Sequence, residues 1–516
     1  MIRRAAAALL VLAAAGAAAL APEPAAASLR PTLRPWPGPG FRTLDSPYVR
    51  PLREDVSFHP LLTVGDTLIP PSVEDDGFVF YPLPDGIGAQ RVDQGLAEIY
   101  VAHEIAWDDG LGGGRVSRIL VDPRTERILA ADWIVDGIEQ FDRLCGASLA
   151  GARQGFLSPR LLINEESIRG PNRGIVAAVD PRSGAVTGLP WLGRFEHERT
   201  VVLPAVSGQL VTLLTEDGPA GQSQLYMYLA NGDNEILEGR GRLYVLRADA
   251  PPGRENTQLA SMARKLRPLT GRFVPVQGVS VDGDPTHPSA IELSAQGARA
   301  LNFVRLEGVT PDTRNANAFF IADTGQENVT EPVSGRPVTG GGRIYRIELD
   351  PFDPTVVKEI RVLLDADDGD DLYRPDNLAA DDLGLLIQED PGRRGLHPAR
   401  ILRYDFRTLR VEPIAECVER DPQGRVIPEG TGGAWETTGI TDASEVFGPG
   451  AWLIAVQAHT MRDTFFGGRA GGGQLLLMRT GVRAEKTKKA EAKDGGDGGD
   501  GGDGGDGEGG EDDSPD

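Results

Sequence analysis

The stretch GRFEHERT (193–200) sets Glu196, His197 and Glu198 side by side behind the apolar Phe195, in a chain with only six histidines. Adjacent ionisable groups serve either a solvated surface or a site that needs oxygen ligands at the end of a strand. The second reading requires similar residues elsewhere, and the sequence supplies them. HEIAW puts His103 and Glu104 after the strand-like AEIYVA, LLINEES puts Glu165 and Glu166 after an apolar run, and LVTLLTEDG does the same with Glu216 and Asp217. FVRLEG carries Arg305 and Glu307 beside ANAFFIADTG, which ends at Asp323. RPDNLAADDLGLLIQEDPG carries Asp376, Asn377 and Asp390, and GAWETTGITDASEVFGPGAWLIAVQAHT carries Glu436, Asp442, Glu445 and His459. Acids end strands and start turns in any β-protein, so no single residue here identifies a site; their recurrence in successive segments does. Carboxylates converging on one place cannot all ionise without a cation. Asp, Glu and Asn oxygens suit hard ions, calcium above all in an extracellular site.

Other chemistries lack their residues. HExxH and CxxC zinc spacings are absent, as are a Walker loop and the GxSxG of serine hydrolases. DADDGDDL (365–372) opens like a calcium-binding loop but lacks its closing Glu, and reads as a solvated turn.

Something must bring these distant acids together. Helix-period runs are scarce beyond the N-terminus; what recurs is a short alternating strand, an Asp-centred turn and a second strand. VSRILVDPRTERIL, GIVAAVDPRSGAVTG, GRLYVLRADAPPG, GRIYRIELDPFDPTVV and ARILRYDFRTLRVEPI share this form, with turn residues Asp122, Asp180, Asp249, Asp350 and Asp405. Their spacing is about 55–70 residues, apart from one interval of 101 that leaves room for another unit around ANAFFIADTG. Units of this kind are the blades of a β-propeller. The expected fold is therefore all-β, a propeller of about six blades with long inter-strand insertions, whose inner strands converge on a central channel.

The chain has 516 residues, 40% of them hydrophobic, enough for a sizeable core. Residues 1–27 combine Arg3 and Arg4 with an Ala-rich apolar run and small residues before Ser28, which reads as a secretory signal peptide, with the paired arginines hinting at twin-arginine export. A Pro-rich arm (28–45), the propeller (46–483), and a charged linker with an acidic Gly/Asp tail (484–516) follow. The net charge is −23, and the ten acids of residues 494–516 account for part of it, leaving −13 for the rest. The tail has no apolar side chain to bury and reads as disordered. An acidic chain argues against nucleic acid or an anionic membrane as partner, and no segment after the signal peptide is long and apolar enough for stable membrane insertion. Cys145 and Cys417 are the only cysteines. In a secreted protein an even count reads first as a disulfide, with one buried thiol and one ligand as the alternative.

In chain order, HE after a strand, a Cys-Gly segment leading to an apolar strand and Glu-Glu, GRFxHE, RxEG, RPDNLxxDxxGxLxIQxD and a late VQ-H resemble the PhoX-type secreted alkaline phosphatases over most of residues 60–460. PLLTVGDTL, PDGIGA and WETTGITDASEVFG resemble a phytase-like branch of that group. The resemblance implies an exported β-propeller that hydrolyses phosphate monoesters with calcium and iron ions. It makes Glu198 a metal ligand, with His197 a positioning neighbour and Glu196, at a variable position, a surface acid. It makes Glu166, Glu307, Asp376 and Asp390 further ligands, Cys145 the ligand of iron, and Arg305 the grip on the substrate phosphate. The family's usual Asn-Cys-Ala-Gly-Gly is here Leu144, Cys145, Gly146, Ala147 and Ser148, followed by a longer spacing to Glu166. That departure leaves a calcium-only site and a Cys145–Cys417 disulfide open. The expectation is a secreted metal-dependent phosphatase acting on a phosphorylated small molecule. Its rivals are a non-catalytic, calcium-stabilised binding propeller and a calcium-dependent esterase or lactonase.

Overall fold

The structure, a computed structural model, describes residues 34–481 other than 37, 70–76, 93–94, 205–207, 220, 250–262, 278–280, 282, 331–338, 393–394, 422, 429–432 and 463–465. Residues 1–27, read above as a signal peptide, and residues 484–516, read as a linker and acidic tail, lie outside the described residues.

Six strands follow one another around a central axis: Pro84–Arg91, Leu144–Ala150, His197–Val202, Leu306–Pro311, Pro375–Ala380 and Glu436–Asp442, the last returning to the first. Each is the inner strand of one antiparallel blade, numbered I to VI. The second strands are Ala97–His103, Arg160–Glu165, Leu210–Glu216, Ala318–Asp323, Gly384–Glu389 and Ala451–Arg462. Every described face of a blade packs on a neighbouring blade, so these strands read as nearly continuous apolar runs such as AEIYVAH and AFFIAD, buried along their whole length. The core is accordingly divided into six hydrophobic clusters, one at each interface between blades. Trp452 and Ile454 of blade VI meet Ile401 and Ile414 of blade V, for example.

The ring closes with strands from both ends of the chain. Val56–Thr63 pairs with Gly471–Thr480 to complete blade VI, an arrangement in which no blade interface is left open. The N-terminal arm contributes Arg34–Pro35 to the edge of blade I, and Val49–Pro51 edges blade V.

Four of the five recurring turn aspartates lie on the outer hairpins, and the turn that follows Asp249 lies outside the described residues. The carboxylates of Asp122, Asp180, Asp350 and Asp405 accept from the amides of Arg124, Arg182, Phe352 and Arg407 at 2.8–3.0 Å, closing the turn locally. Among the described residues the 101-residue interval holds no additional blade. ANAFFIADTG forms the second strand of blade IV, and the length comes from the passage between blades III and IV. That passage holds the helix Pro288–Ala298 and the strand Leu269–Pro275, which pairs with the outer strands of both blades and fuses them into one nine-stranded sheet. Among the described residues no helix is long and apolar enough to cross a membrane.

A candidate metal centre at the channel mouth

In blades I to V the inner strand enters with one extra residue against its neighbour. The register runs Pro84↔His103 then Ile87↔Val101, Leu144↔Glu165 then Ala147↔Ile163, and likewise after His197, Leu306 and Pro375. Such a bulge re-aims one side chain, and the side chains it turns into the channel are Asp85, Cys145, Glu198, Glu307 and Asp376. Blade VI adds Glu436 at the start of its inner strand. The bulges bring the inner strands into backbone contact. A Cβ on Gly86 would lie 2.0 Å from the Ala147 amide nitrogen, and one on Gly146 would lie 2.0 Å from the Glu198 carbonyl oxygen. Only glycine permits either approach.

The paired acids at the ends of the second strands divide their roles. The first of each pair turns away from the channel and holds backbone. Glu165 accepts from the amides of Asp142 (2.8 Å), Gly174 (2.9 Å) and Ile175 (3.1 Å). Glu389 accepts from Tyr373 (3.0 Å), Asp323 from Val304 (2.9 Å) and Glu216 from Gln224 (3.1 Å). His103 takes the same place in blade I, buried between the Pro82 carbonyl (3.0 Å) and the Ser117 hydroxyl (2.8 Å); burial holds its pKa down to about 3. The second of each pair serves the channel: Glu104, Glu166 and Asp390 line it, and Asp217 stands behind Arg305.

The result is a cavity of about 230 Å³ lined by Asp85, Glu104, Arg143, Cys145, Glu166, Glu198, Arg305, Glu307, Asp376, Asp390, Gly392, Ala434, Glu436 and His459. Eight carboxylates face two guanidiniums. Burial, followed by mutual repulsion, pushes the carboxyls of Asp85, Glu198 and Glu307 well above the usual range, and lifts Asp376 to about 8. Burial likewise raises Glu166, whose rise Arg143 opposes. Glu104 is the exception: burial would lift it, but Arg143 and Gln457 outweigh that and hold it low.

This deficit of positive charge, in a donor set of carboxylates and one thiol, fits metal ions. Donor atoms of Glu198, Glu307 and Asp376 come within 4.8 Å of one another, as do those of Cys145, Glu166 and Glu198, and those of Asp85, Glu104 and Cys145. The first set is all oxygen and suits calcium; the two with sulfur suit a softer ion.

Five of the residues singled out in the sequence as ligands, with Cys145, thus line one cavity. Glu196 does not join them, and it is half-buried rather than fully solvated, with its carboxyl raised by that burial. His197 is buried outside the cavity, its ring against Phe195 and Nε2 at 3.1 Å from the Gly193 carbonyl. The disulfide is excluded. Cys145 lies on the inner strand of blade II and Cys417 on the outer strand of blade V, both as free, buried thiols. The Cys145 thiol donates to Glu166 at 2.7 Å. DADDGDDL is not simply solvated either, since Asp365 is buried in an ion pair with Arg343 at 2.9 Å.

Sequence reasoning assigned no role to Arg143, and none to Asp85. A signal for both was present. Arg143-Leu-Cys145 has the spacing of Arg305-Leu-Glu307, and Asp85-Gly86 repeats the pairs Cys145-Gly146 and Glu307-Gly308.

Comparison with known proteins adds an independent view. Residues 164–402 match the family model of alkaline phosphatase PhoX. No curated protein matches the chain. Among solved structures, Pseudomonas fluorescens PhoX in complex with vanadate, a transition state analogue, superposes with a TM-score of 0.57 at 14% identity, over 86% of this chain and 97% of that one. The Penicillium chrysogenum alpha-L-arabinanase complexed with arabinobiose gives a TM-score of 0.40 at 10% identity, over 82% and 98%. Over residues 164–402 the sequence is thus similar to the alkaline phosphatase PhoX family, and over most of the chain the fold is that of the Pseudomonas fluorescens PhoX structure.

Proposed function

We propose that the chain is a secreted, metal-dependent phosphatase that hydrolyses phosphate monoesters at the channel mouth, and that residues 1–27 direct its export. The observation that supports this most is the convergence of eight carboxylates and two arginines from six blades on one small polar cavity, in a chain similar to alkaline phosphatase PhoX. Glu198, Glu307 and Asp376 would hold calcium, with Asp390, Asp85 and Glu436 beside them. Cys145, Glu166 and Glu104 would hold a further ion, for which iron is the candidate. Bound ions supply neutralisation of the phosphate oxygens and an activated oxygen nucleophile, which agrees with the lack of a serine nucleophile motif.

The chain's own part is positioning. Arg305 Nη2 bonds Glu307 Oε1 at 2.6 Å, its Nε faces Asp217 at 3.2 Å and its Nη1 lies 3.9 Å from Asp390. Three carboxylates therefore aim a guanidinium that is still 30% exposed, and its fork suits the oxygens of a phosphoryl group. No reorganisation is needed as charge develops in the transition state.

The test is turnover of p-nitrophenyl phosphate by the metal-loaded protein, before and after EDTA and on readdition of calcium. Activity lost to EDTA and restored by calcium supports the reading. Metal-loaded protein that binds calcium but turns over neither this ester nor a lactone panel is a binding module, and hydrolysis of lactones alone makes it an esterase.

A further inference from the structure

Arg143 and Arg305 are structural counterparts. Each sits two residues before the channel-facing residue of its inner strand, Cys145 in blade II and Glu307 in blade IV. Each adopts a left-handed backbone, with φ of 60° and 57°, as do Leu83 and Arg374 two residues before Asp85 and Asp376, so this conformation belongs to the bulged strand entry. Each is held by carboxylates in and around the cavity. Arg143 Nε bonds Glu104 Oε1 at 2.8 Å and Nη2 lies 2.7 Å from Glu166 Oε2, matching the grip of Asp217 and Glu307 on Arg305. Arg143 is the more exposed of the two, at 43%, so its outer guanidinium edge is available at the rim. Among the described residues the cavity is lined mostly by charged and polar side chains, which favours a substrate with more than one anionic group over an apolar alcohol.

We propose that Arg143 and Arg305 form a two-armed anion clamp across the cavity mouth, and that the preferred substrates are phosphate monoesters carrying a second anionic group. Arg305 takes the phosphoryl group and Arg143 the additional carboxylate or phosphate. This rests on the phosphatase reading for the word substrate, but the clamp itself is a statement about anion binding. A charge-assisted hydrogen bond at a partly exposed site is worth about tenfold in affinity.

The experiment is calorimetric titration of the metal-loaded protein with methylphosphonate and with 3-phosphonopropionate, which are not hydrolysed and differ by one carboxylate arm. The unsubstituted protein should bind the second about tenfold more tightly. Arg143→Gln should reduce that preference to threefold or less, Arg143→Lys should keep part of it, and Arg305→Gln should weaken both ligands together. Metal content and melting temperature of each variant are measured alongside. Equal affinity of the unsubstituted protein for the two probes, or binding of neither, overturns the clamp. So does an Arg143→Gln variant that loses both probes in the same proportion together with bound metal, because Arg143 would then only position Glu104 and Glu166. A preserved preference with no ester turnover would sink the phosphatase reading and leave the clamp standing.

Discussion

At the scale of single residues, the three neighbours Glu196, His197 and Glu198 have three different environments. Glu198 is in the cavity, His197 packs on Phe195 and is kept neutral by burial, and Glu196 is half-buried outside. Glu198→Gln should lower both bound metal and turnover, the latter at least about 100-fold, since even residues that only support ligands account for 10–100-fold. His197→Gln should leave the metal content unchanged, measured by elemental analysis, and cost about 1–2 kcal/mol of stability through its lost packing and hydrogen bond. Arg305→Ala should reduce kcat/KM by roughly 100–1000-fold, the usual effect of removing a preorganised stabiliser of transition-state charge. If the metal falls with His197→Gln and not with Glu198→Gln, the division of roles drawn here is wrong.

At the scale of elements, the bulged entry of the inner strand is the unit that builds the site. It turns one side chain to the channel and, in blades I, II and IV, leaves the next position (Gly86, Gly146 and Gly308) so close to the adjacent blade that glycine is required. Gly146→Ala drives a Cβ into the Glu198 carbonyl, and backbone cannot swing aside as a flexible side chain can. We expect a loss of about 2–4 kcal/mol in denaturant unfolding, together with weaker metal binding. Gly297→Ala is the control: its Cβ would meet nothing within 4 Å, inside the helix Pro288–Ala298. It should be neutral or stabilising by up to about 1 kcal/mol.

At the scale of the molecule, the ring stores its charge imbalance at one end of the channel. An acid whose pKa rises on folding favours the fold while it is protonated, below its ordinary range, and that advantage disappears as the pH rises through the folded value. Asp376, raised to about 8, and Asp323, raised to about 7, set the window. Metal-free protein should therefore melt at progressively lower temperature from about pH 4.5 to pH 8. Calcium added at pH 8 should recover the loss, because a cation held by carboxylates that converge only in the fold would bind the folded form alone. An EDTA-treated protein equally stable at pH 5 and pH 8 would contradict this. Closure by the N-terminal strand makes a second demand. Leu62, fully buried beside Leu475, should not tolerate Asp, and Leu62→Asp should abolish cooperative melting rather than loosen one blade.

Much of this was written locally. Alternating apolar runs, Asp-centred turns and acids at strand ends are short-range properties, so the propeller and most of the residues that line its cavity were legible without coordinates. The closing strand was not, because VSFHPLLT carries no mark of pairing with residues more than 400 positions away. Nor was the choice within each acidic pair. Successive residues of a strand point to opposite sides, so the register at the end of Arg160–Glu165 separates Glu165 from Glu166, and the one-residue bulge that aims Cys145 leaves the hydrophobic pattern almost unchanged. The same geometry parts Cys145 from Cys417 and brings Arg143 level with Arg305. The sequence by itself determined what each blade offers; the tertiary structure decided which offers meet, because only ring closure sets the distances between strands that the chain keeps far apart.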